Sequence, residues 1–269
     1  MDVKQLEKKA KSLRREILDL CHASGRAAHA GPALSCIDIV TALYYHVMRF
    51  DENNPDWALR DRFILSKGHA CPSVYAVLAD MGIVDRAEYA RFRHLGGVLQ
   101  GHMTLGKTPG VDMTAGSLGN GLGIGLGMAH YLKVKNTGSR VYVILGDGEL
   151  NEGTVWEAVM QAPAIGADNL TAIVDVNGFQ SSGATDILPM EPLDDKWRAF
   201  GWDVLSIDGH DMEQILSAFE QAKQSTKPTV ILAKTVKGKG VSFMEHNNVW
   251  HQSVLTDELY AQAVQEVEA

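Results

Sequence analysis

The stretch Leu145-Gly146-Asp147-Gly148-Glu149-Leu150-Asn151-Glu152-Gly153, with its counterpart Asp175-Val176-Asn177 further along, decides how this chain is read. Val141 to Leu145 is a continuous apolar run, which predicts a strand buried on both faces. Gly146-Asp147-Gly148 then sets a carboxylate at that strand's end, between two residues that let the backbone approach a ligand closely. Asn151 is placed to cap a helix over Gly153 to Ile165, whose first N–H groups would face the same spot. Leu170 to Val174 predicts a second buried strand that delivers Asn177 to its own end. One carboxylate and one amide oxygen beside a helix start suit a hard divalent cation bridging a diphosphate. The plainer alternative is that Asp147 caps a turn and Asn177 begins one.

Outward from this pair, helix and strand patterns alternate. Val3 to Cys21 carries apolar residues at helical spacing among charges. Ser35 is placed to cap a helix running to about Val47. A short strand over Arg62 to Leu65 ends at Ser66-Lys67-Gly68-His69, and helices are expected over Pro72 to Met81 and Arg86 to His94. Five glycines from Gly119 to Gly127 stud a further helix, where bare backbone allows close packing. Beyond Asn177 come a polar loop (Ser181 to Asp186), a short helix at Asp194 to Phe200, strand Val204 to Ile207, helix Met212 to Lys223 and strand Val230 to Ala233. This order predicts an α/β fold, a doubly wound, mostly parallel sheet with helices on both faces, forming one domain over residues 1–269. Ligands of such sheets sit beyond the strands' carboxyl ends, where Asp147, Asn177 and His69 are expected.

Composition narrows the class. A net charge of −8 with no basic block argues against nucleic acid as a partner. The apolar fraction of 45% supports a sizeable core. Cys21, Cys36 and Cys71 form no CxxC pair, as expected of reduced thiols in a cytoplasmic protein. Met1 to Arg15 is charged throughout, unlike a cleavable leader. Leu118 to Leu132 is too short to span a membrane and carries Asn120 and His130.

A rival motif is present. Gly101-His102-Met103-Thr104-Leu105-Gly106-Lys107-Thr108 matches the nucleotide-binding pattern GxxxxGK[ST] letter for letter. That loop needs its Lys and Thr to open a helix, however, and Pro109-Gly110 follows at once, a poor continuation. No three glycines between Gly119 and Gly127 have the GxGxxG spacing. Four of the ten histidines, His29, His69, His102 and His251, have small or loop-forming neighbours that leave a ring accessible. Such rings suit hydroxyl hydrogen bonds, proton relay or a diphosphate contact, although each taken alone could equally be a surface histidine. No pair has HxxxH or HExxH spacing, so histidine-bound metal is not indicated.

Seven ordered motifs give the chain a resemblance to a known family. They are Ala28-His29-Ala30-Gly31, Asp61 to His69, Gly101-His102, Gly116-Ser117-Leu118-Gly119, Gly146-Asp147-Gly148 with Glu152-Gly153, Asp175-Val176-Asn177-Gly178, and Ile207 to Asp211. Together they resemble the N-terminal, diphosphate-binding (PP-type) part of transketolase, a thiamine diphosphate enzyme. The resemblance implies that Asp147, Asn177 and the Phe179 carbonyl hold Mg2+ or Ca2+. Gly148 and His69 would contact the diphosphate, and Gly116, Ser117 and Leu118 the cofactor's rings. His102 would bind a ketose's C1 hydroxyl, with His29 and His251 around its C3 hydroxyl and His251 also near the cofactor. Glu152 would link paired active sites, unless it only stabilises a helix end. Two departures are visible: Ala28 precedes His29 where the family usually has glycine, and His246 competes with His251.

The family also needs a glutamate against the aminopyrimidine ring and basic residues for the sugar phosphate, and no stretch here is left to supply them. The expectation is therefore the N-terminal subunit of a split, two-gene transketolase, active only with a C-terminal subunit carrying a pyrimidine-binding domain, as a heterotetramer of two chains of each kind. Its substrates would be a ketose donor and an aldose acceptor, as phosphates or related sugars, with no membrane involved. The alternatives are the α subunit of a 2-oxo-acid dehydrogenase, which would not need His29, His69 and His102, and a non-catalytic assembly subunit.

Overall fold

Each apolar run is a central strand, because alternate side chains are buried on opposite faces. In the computed structural model, which describes residues 1–181 and 183–269, five strands form one sheet: β1 (Arg62–Leu65), β2 (Val141–Gly146), β3 (Leu170–Val176), and two strands that close the chain's last third. Ser182, within the predicted polar loop, lies outside the described residues. A hairpin of two-residue strands spans the start of that loop, β4 (Phe179–Gln180) just before it pairing with β5 (Gly183–Ala184) inside it. The sheet is completed by β6 (Asp203–Asp208) and β7 (Thr229–Lys234), in the order β1-β2-β3-β7-β6 with every pairing parallel.

Eight helices cover it: α1 (Val3–Ala23), α2 (Ala30–Ala42), α3 (Pro72–Asp80), α4 (Asn120–Val134), α5 (Gly153–Ala164), α6 (Leu193–Ala199), α7 (Met212–Gln224) and α8 (Asp257–Glu268), counted among the described residues. Tyr142, Ile144, Ile173 and Ile231 pack into one apolar cluster with α1, α2, α3 and α7. Val141, Val143, Leu145, Ala172, Val174 and Val230 pack into the other with α4, α5 and α6. The doubly wound arrangement follows from these two interfaces. Helix α4 reaches the sheet through its glycines: a Cβ on Gly121 would fall 2.2 Å from Ser66 Oγ, and one on Gly125 would fall 2.6 Å from Val143 Cγ2. Among the described residues, no helix is long and apolar enough to cross a membrane.

Several local expectations are corrected. Ser35 does not cap a helix; α2 begins at Ala30 and ends at Ala42, followed by a π turn over Leu43–Val47. Pro32 is tolerated in its first turn, where N–H groups lack helical partners anyway. Asn151 is likewise no cap, because Gly148–Asn151 folds as a 3-10 turn and Glu152 takes the cap position without a side-chain bond. The helix expected over Arg86 to His94 is a 3-10 segment, Arg86–Arg91. It stops at Phe92, whose ψ of 128° is extended, and Arg93 at φ +62° keeps the chain from resuming a right-handed helix. Residues 101–108 form turns and bends, with no helix opening at Lys107, so the triphosphate-loop reading has no structural support.

Candidate active site

The strands' carboxyl ends bring together residues far apart in sequence. At the end of β2, Asp147 is 5% exposed. Its carboxylate accepts backbone N–H bonds from Gly148 at 2.8 Å and, across the sheet, Gly178 at 2.6 Å. Burial, reinforced by the nearby Asp175 carboxylate, pushes its pKa up to about 6 despite those two bonds. Asn177, just beyond β3, donates from its amide to Asp175 at 2.8 Å and accepts the Phe179 N–H at 3.0 Å. One lone pair of its amide oxygen is left over.

Asp175 is the hub beneath this pair and is fully buried. Its Oδ2 accepts from Lys67 Nζ at 2.5 Å, Ser35 Oγ at 2.6 Å and Asn177, while Oδ1 accepts from Thr235. Burial alone would raise the Asp175 pKa, but the Lys67 charge and these bonds hold it below the usual carboxylate range. Lys67 also donates to the Pro32 carbonyl at 3.0 Å. Burial alone would lower its pKa, yet Asp175 keeps it raised to about 12. The ends of β1, β3 and β7 and the start of α2 are thereby tied to one point.

Above the hub sit four imidazoles. His29 sits at the residue before α2 without a side-chain capping bond, His69 lies in the 3-10 turn Gly68–Ala70, His251 ends the 3-10 turn Asn248–His251, and His102 lies in a bend. Ring centroids are 5.2 Å apart for His29 and His69, 5.4 Å for His29 and His251, 5.0 Å for His69 and His251, and 6.3 Å for His29 and His102. Burial, and then the charge of neighbouring rings and cations, lowers all four pKa values: His29 to about 3, His251 to about 4, His69 well below its ordinary value, and His102 in the same direction. The rings are neutral near pH 7. Among the described residues His246 makes no ring contact with this group; it lies at φ +55° and lines a cavity of about 960 Å³ whose wall also includes Asn177, Gly178 and Thr235.

Lys237, which the sequence reading passed over, joins the two halves. It is 1% exposed; its ammonium donates to Asn248 Oδ1 at 2.8 Å, lies 3.2 Å from His251 Nδ1 and sits 5.3 Å above the Phe179 ring. Burial and the nearby Lys67 lower its pKa to about 8. The signal available in sequence was the lysine- and glycine-rich turn Lys234 to Gly240, directly after an apolar strand. Gly116 faces His102, since a Cβ there would lie 3.5 Å from the ring. Ser117 and Leu118 are exposed on the same loop. The loop is fixed at Gly119, whose N–H donates to buried Glu149 at 2.8 Å; Ser66 and the Gly146 N–H also bond that carboxylate. Gly148 packs against Gln180, where a Cβ would approach to 2.6 Å. Glu152 stands apart from the histidines, exposed at the start of α5.

The donor set fits the implied groups. A buried carboxylate with a raised pKa and a free amide lone pair favour a hard divalent cation. A buried ammonium whose two polar contacts are both uncharged favours a phosphate oxygen. Among the described residues, no group of three or more His, Cys, Asp or Glu is arranged to hold a metal.

The chain is similar to known proteins over nearly its full length. Residues 7–267 match the family model described as transketolase, thiamine diphosphate binding domain. The chain is 43% identical over 265 residues to 6-deoxy-6-sulfo-D-fructose transketolase subunit SqwG of Clostridium sp. strain MSTE9, covering 98% of this chain and 96% of that one. It is 39% identical over 269 residues to an apulose-4-phosphate transketolase subunit of Phocaeicola vulgatus, covering 99% and 95%. The crystal structure of Campylobacter jejuni transketolase superposes with a TM-score of 0.91 at 32% identity, over 100% of this chain but 43% of that one. The chain thus spans less than half the length of that transketolase. A family model matching nearly every residue, on a sheet that carries this histidine and carboxylate geometry, places the chain in the transketolase family, within its thiamine diphosphate-binding domain.

Proposed function

We propose that this chain is the diphosphate-binding subunit of a two-chain transketolase, which transfers a two-carbon ketol unit from a ketose to an aldose. The observation that carries the reading is the convergence of four imidazoles, joined through Lys237 to the Phe179 ring, with Asp147 and Asn177 at the ends of adjacent parallel strands. Residues 1–269 would act as one domain. Asp147, Asn177 Oδ1 and the Phe179 carbonyl would hold Mg2+ or Ca2+; Gly148, His69 and Lys237 would hold the diphosphate, and Gly116, Ser117 and Leu118 the rings. When bound, thiamine diphosphate supplies the electron sink for the two-carbon unit.

The chain's own groups orient the sugar and move protons. His102 binds the C1 hydroxyl. His29 and His251 bracket the C3 hydroxyl and accept its proton, which must leave as the C2–C3 bond breaks. Their lowered pKa values keep them unprotonated and able to do so, and a bound anion would bring those values back toward neutrality. Glu152, exposed at a helix start, is available to a second chain. The two relatives are named as subunits and match almost from end to end, which supports a separate partner subunit; we infer that this partner carries a pyrimidine-binding domain, that the assembly is a heterotetramer of two chains of each kind, and that it is cytoplasmic. Those relatives are named for different sugars, which fits a donor's distal end being read by the partner.

The test is ketol transfer by the purified chain, alone and mixed with its partner, in a coupled assay. Turnover is expected only from the mixture. Full activity of the single chain would overturn the two-chain reading, and decarboxylation of 2-oxo acids in place of ketol transfer would favour a dehydrogenase α subunit.

A further inference from the structure

The segments bearing His29, His102 and His251 are linked by one side chain outside the proposed machinery. Arg93 donates from Nη1 to the Ala27 carbonyl, two residues before His29. The Gln252 amide, adjacent to His251, ends 2.8 Å from Nη1 and 3.0 Å from Nη2 of the same guanidinium; with its oxygen assigned to that side, the assignment that satisfies both groups, it accepts from both. The arginine stem lies against Gly101, next to His102: a Cβ on that glycine would come 3.3 Å from Nε and 3.6 Å from Cγ. Two of these segments also meet through an antiparallel bridge, Ala28 N–H to the Ser253 carbonyl at 2.9 Å and the reverse at 3.1 Å.

The backbone of Arg93 is unusual. It is one of three non-glycine residues at positive φ among the described residues, held there by an N–H bond to the Leu99 carbonyl at 3.0 Å. A left-handed arginine is unfavourable unless its surroundings impose it, and here the conformation turns the chain after Phe92 as the side chain spans the three segments. A forked guanidinium can serve two carbonyl acceptors at once, which an ammonium does less well.

We propose that Arg93 is a positioning residue that sets the mutual distance of His29, His102 and His251 and so the fit of the ketose hydroxyls; the sugar-facing part of this rests on the function proposed above. The clamp is tested in the full chain without cofactor or sugar, by amide hydrogen exchange of wild type, Arg93→Lys, Arg93→Met and Gln252→Ala. Faster exchange, about tenfold or more, is expected at Ala28 and Ser253 in Arg93→Met, less in Arg93→Lys and Gln252→Ala, with β2 and β3 amides unchanged. Unchanged exchange at Ala28 and Ser253, or acceleration spread evenly over the sheet, overturns the clamp. If Arg93→Met does not fold, the same criteria apply to Arg93→Lys and exposed Gln252→Ala.

With the partner present, Arg93→Lys should raise the KM for the ketose several-fold while leaving thiamine diphosphate affinity unchanged. An equal loss of cofactor affinity overturns the positioning role. Absence of ketol transfer in the wild-type complex would refute the proposed function and leave the exchange result standing.

Discussion

Replacing Asp147 with Asn should make the metal-free chain more stable near neutral pH while removing its cation-dependent cofactor binding. Folding raises this carboxyl from 3.8 to about 6, chiefly by burial. The folded state therefore holds the proton more tightly than the unfolded one. The associated stability is fully present below pH 4 and is lost as pH rises through about 6. A shift of that size corresponds to about 3 kcal/mol of unfavourable charge burial at neutral pH. Asn removes the charge but has one acceptor oxygen, so one of the bonds from Gly148 and Gly178 is lost at a cost of about 1 kcal/mol. The net gain of about 1–2 kcal/mol should raise Tm by about 2–4 °C for a chain of this size. Calorimetric melting in chelator, at neutral pH and at successively lower pH, reads it directly. The gap between variant and wild type should close on acidification. A variant that melts lower at neutral pH, or a gap that widens toward acid, would refute the reasoning.

Three further outcomes are expected. Lys67→Met leaves Asp175 buried without a cation and should cost about 3–5 kcal/mol, seen as a large fall in Tm; an unchanged Tm would mean the pair is not the hub described. Magnesium-dependent binding of thiamine diphosphate, followed by calorimetry with the partner present, should weaken as pH falls below about 6, approaching tenfold per unit, because a proton then competes for Asp147. Gly121→Ala puts a Cβ within 2.4 Å of Ser66 Cβ, so α4 must shift; a loss of about 1–3 kcal/mol is expected in denaturant melts, and a neutral result would show that α4 can shift without cost.

The parallel sheet was legible because its central strands carry bare apolar runs separated by helical patterns, and local pattern suffices for that. The grouping of Asp147 with Asn177 was legible for the same reason: neighbouring parallel strands deliver both to one edge. Ser35 shows where local reasoning stops. A serine ahead of an apolar run resembles a cap, but its hydroxyl bonds Asp175, distant in sequence, and that partner is set only by how α2 crosses the sheet. Lys67 and Asp175 both lay inside quoted motifs without an assigned role, since a buried ion pair cannot be inferred until both ends are known to be buried. Lys237 and Arg93 went unnoticed because charged residues in turns are ordinarily solvated. The C-terminal helix α8 was not anticipated either; it docks on α1, with Tyr260 bonding Asp19 at 2.6 Å and stacking on His22 at 4.1 Å.

The Asp175 hub couples the closing of the core to the aim of a site residue. The bonds that let α2, β1, β3 and β7 close around a charge are the same bonds that aim Asn177 outward. A chain that lost Lys67 would leave Asp175 as an uncompensated ion in its interior and would lose with it the anchor against which Asn177 is aimed, so it would unravel rather than persist as an inert impostor. Changes at either end of the pair are consequently constrained to occur together, so in this lineage drift at one position should be accompanied by drift at the other.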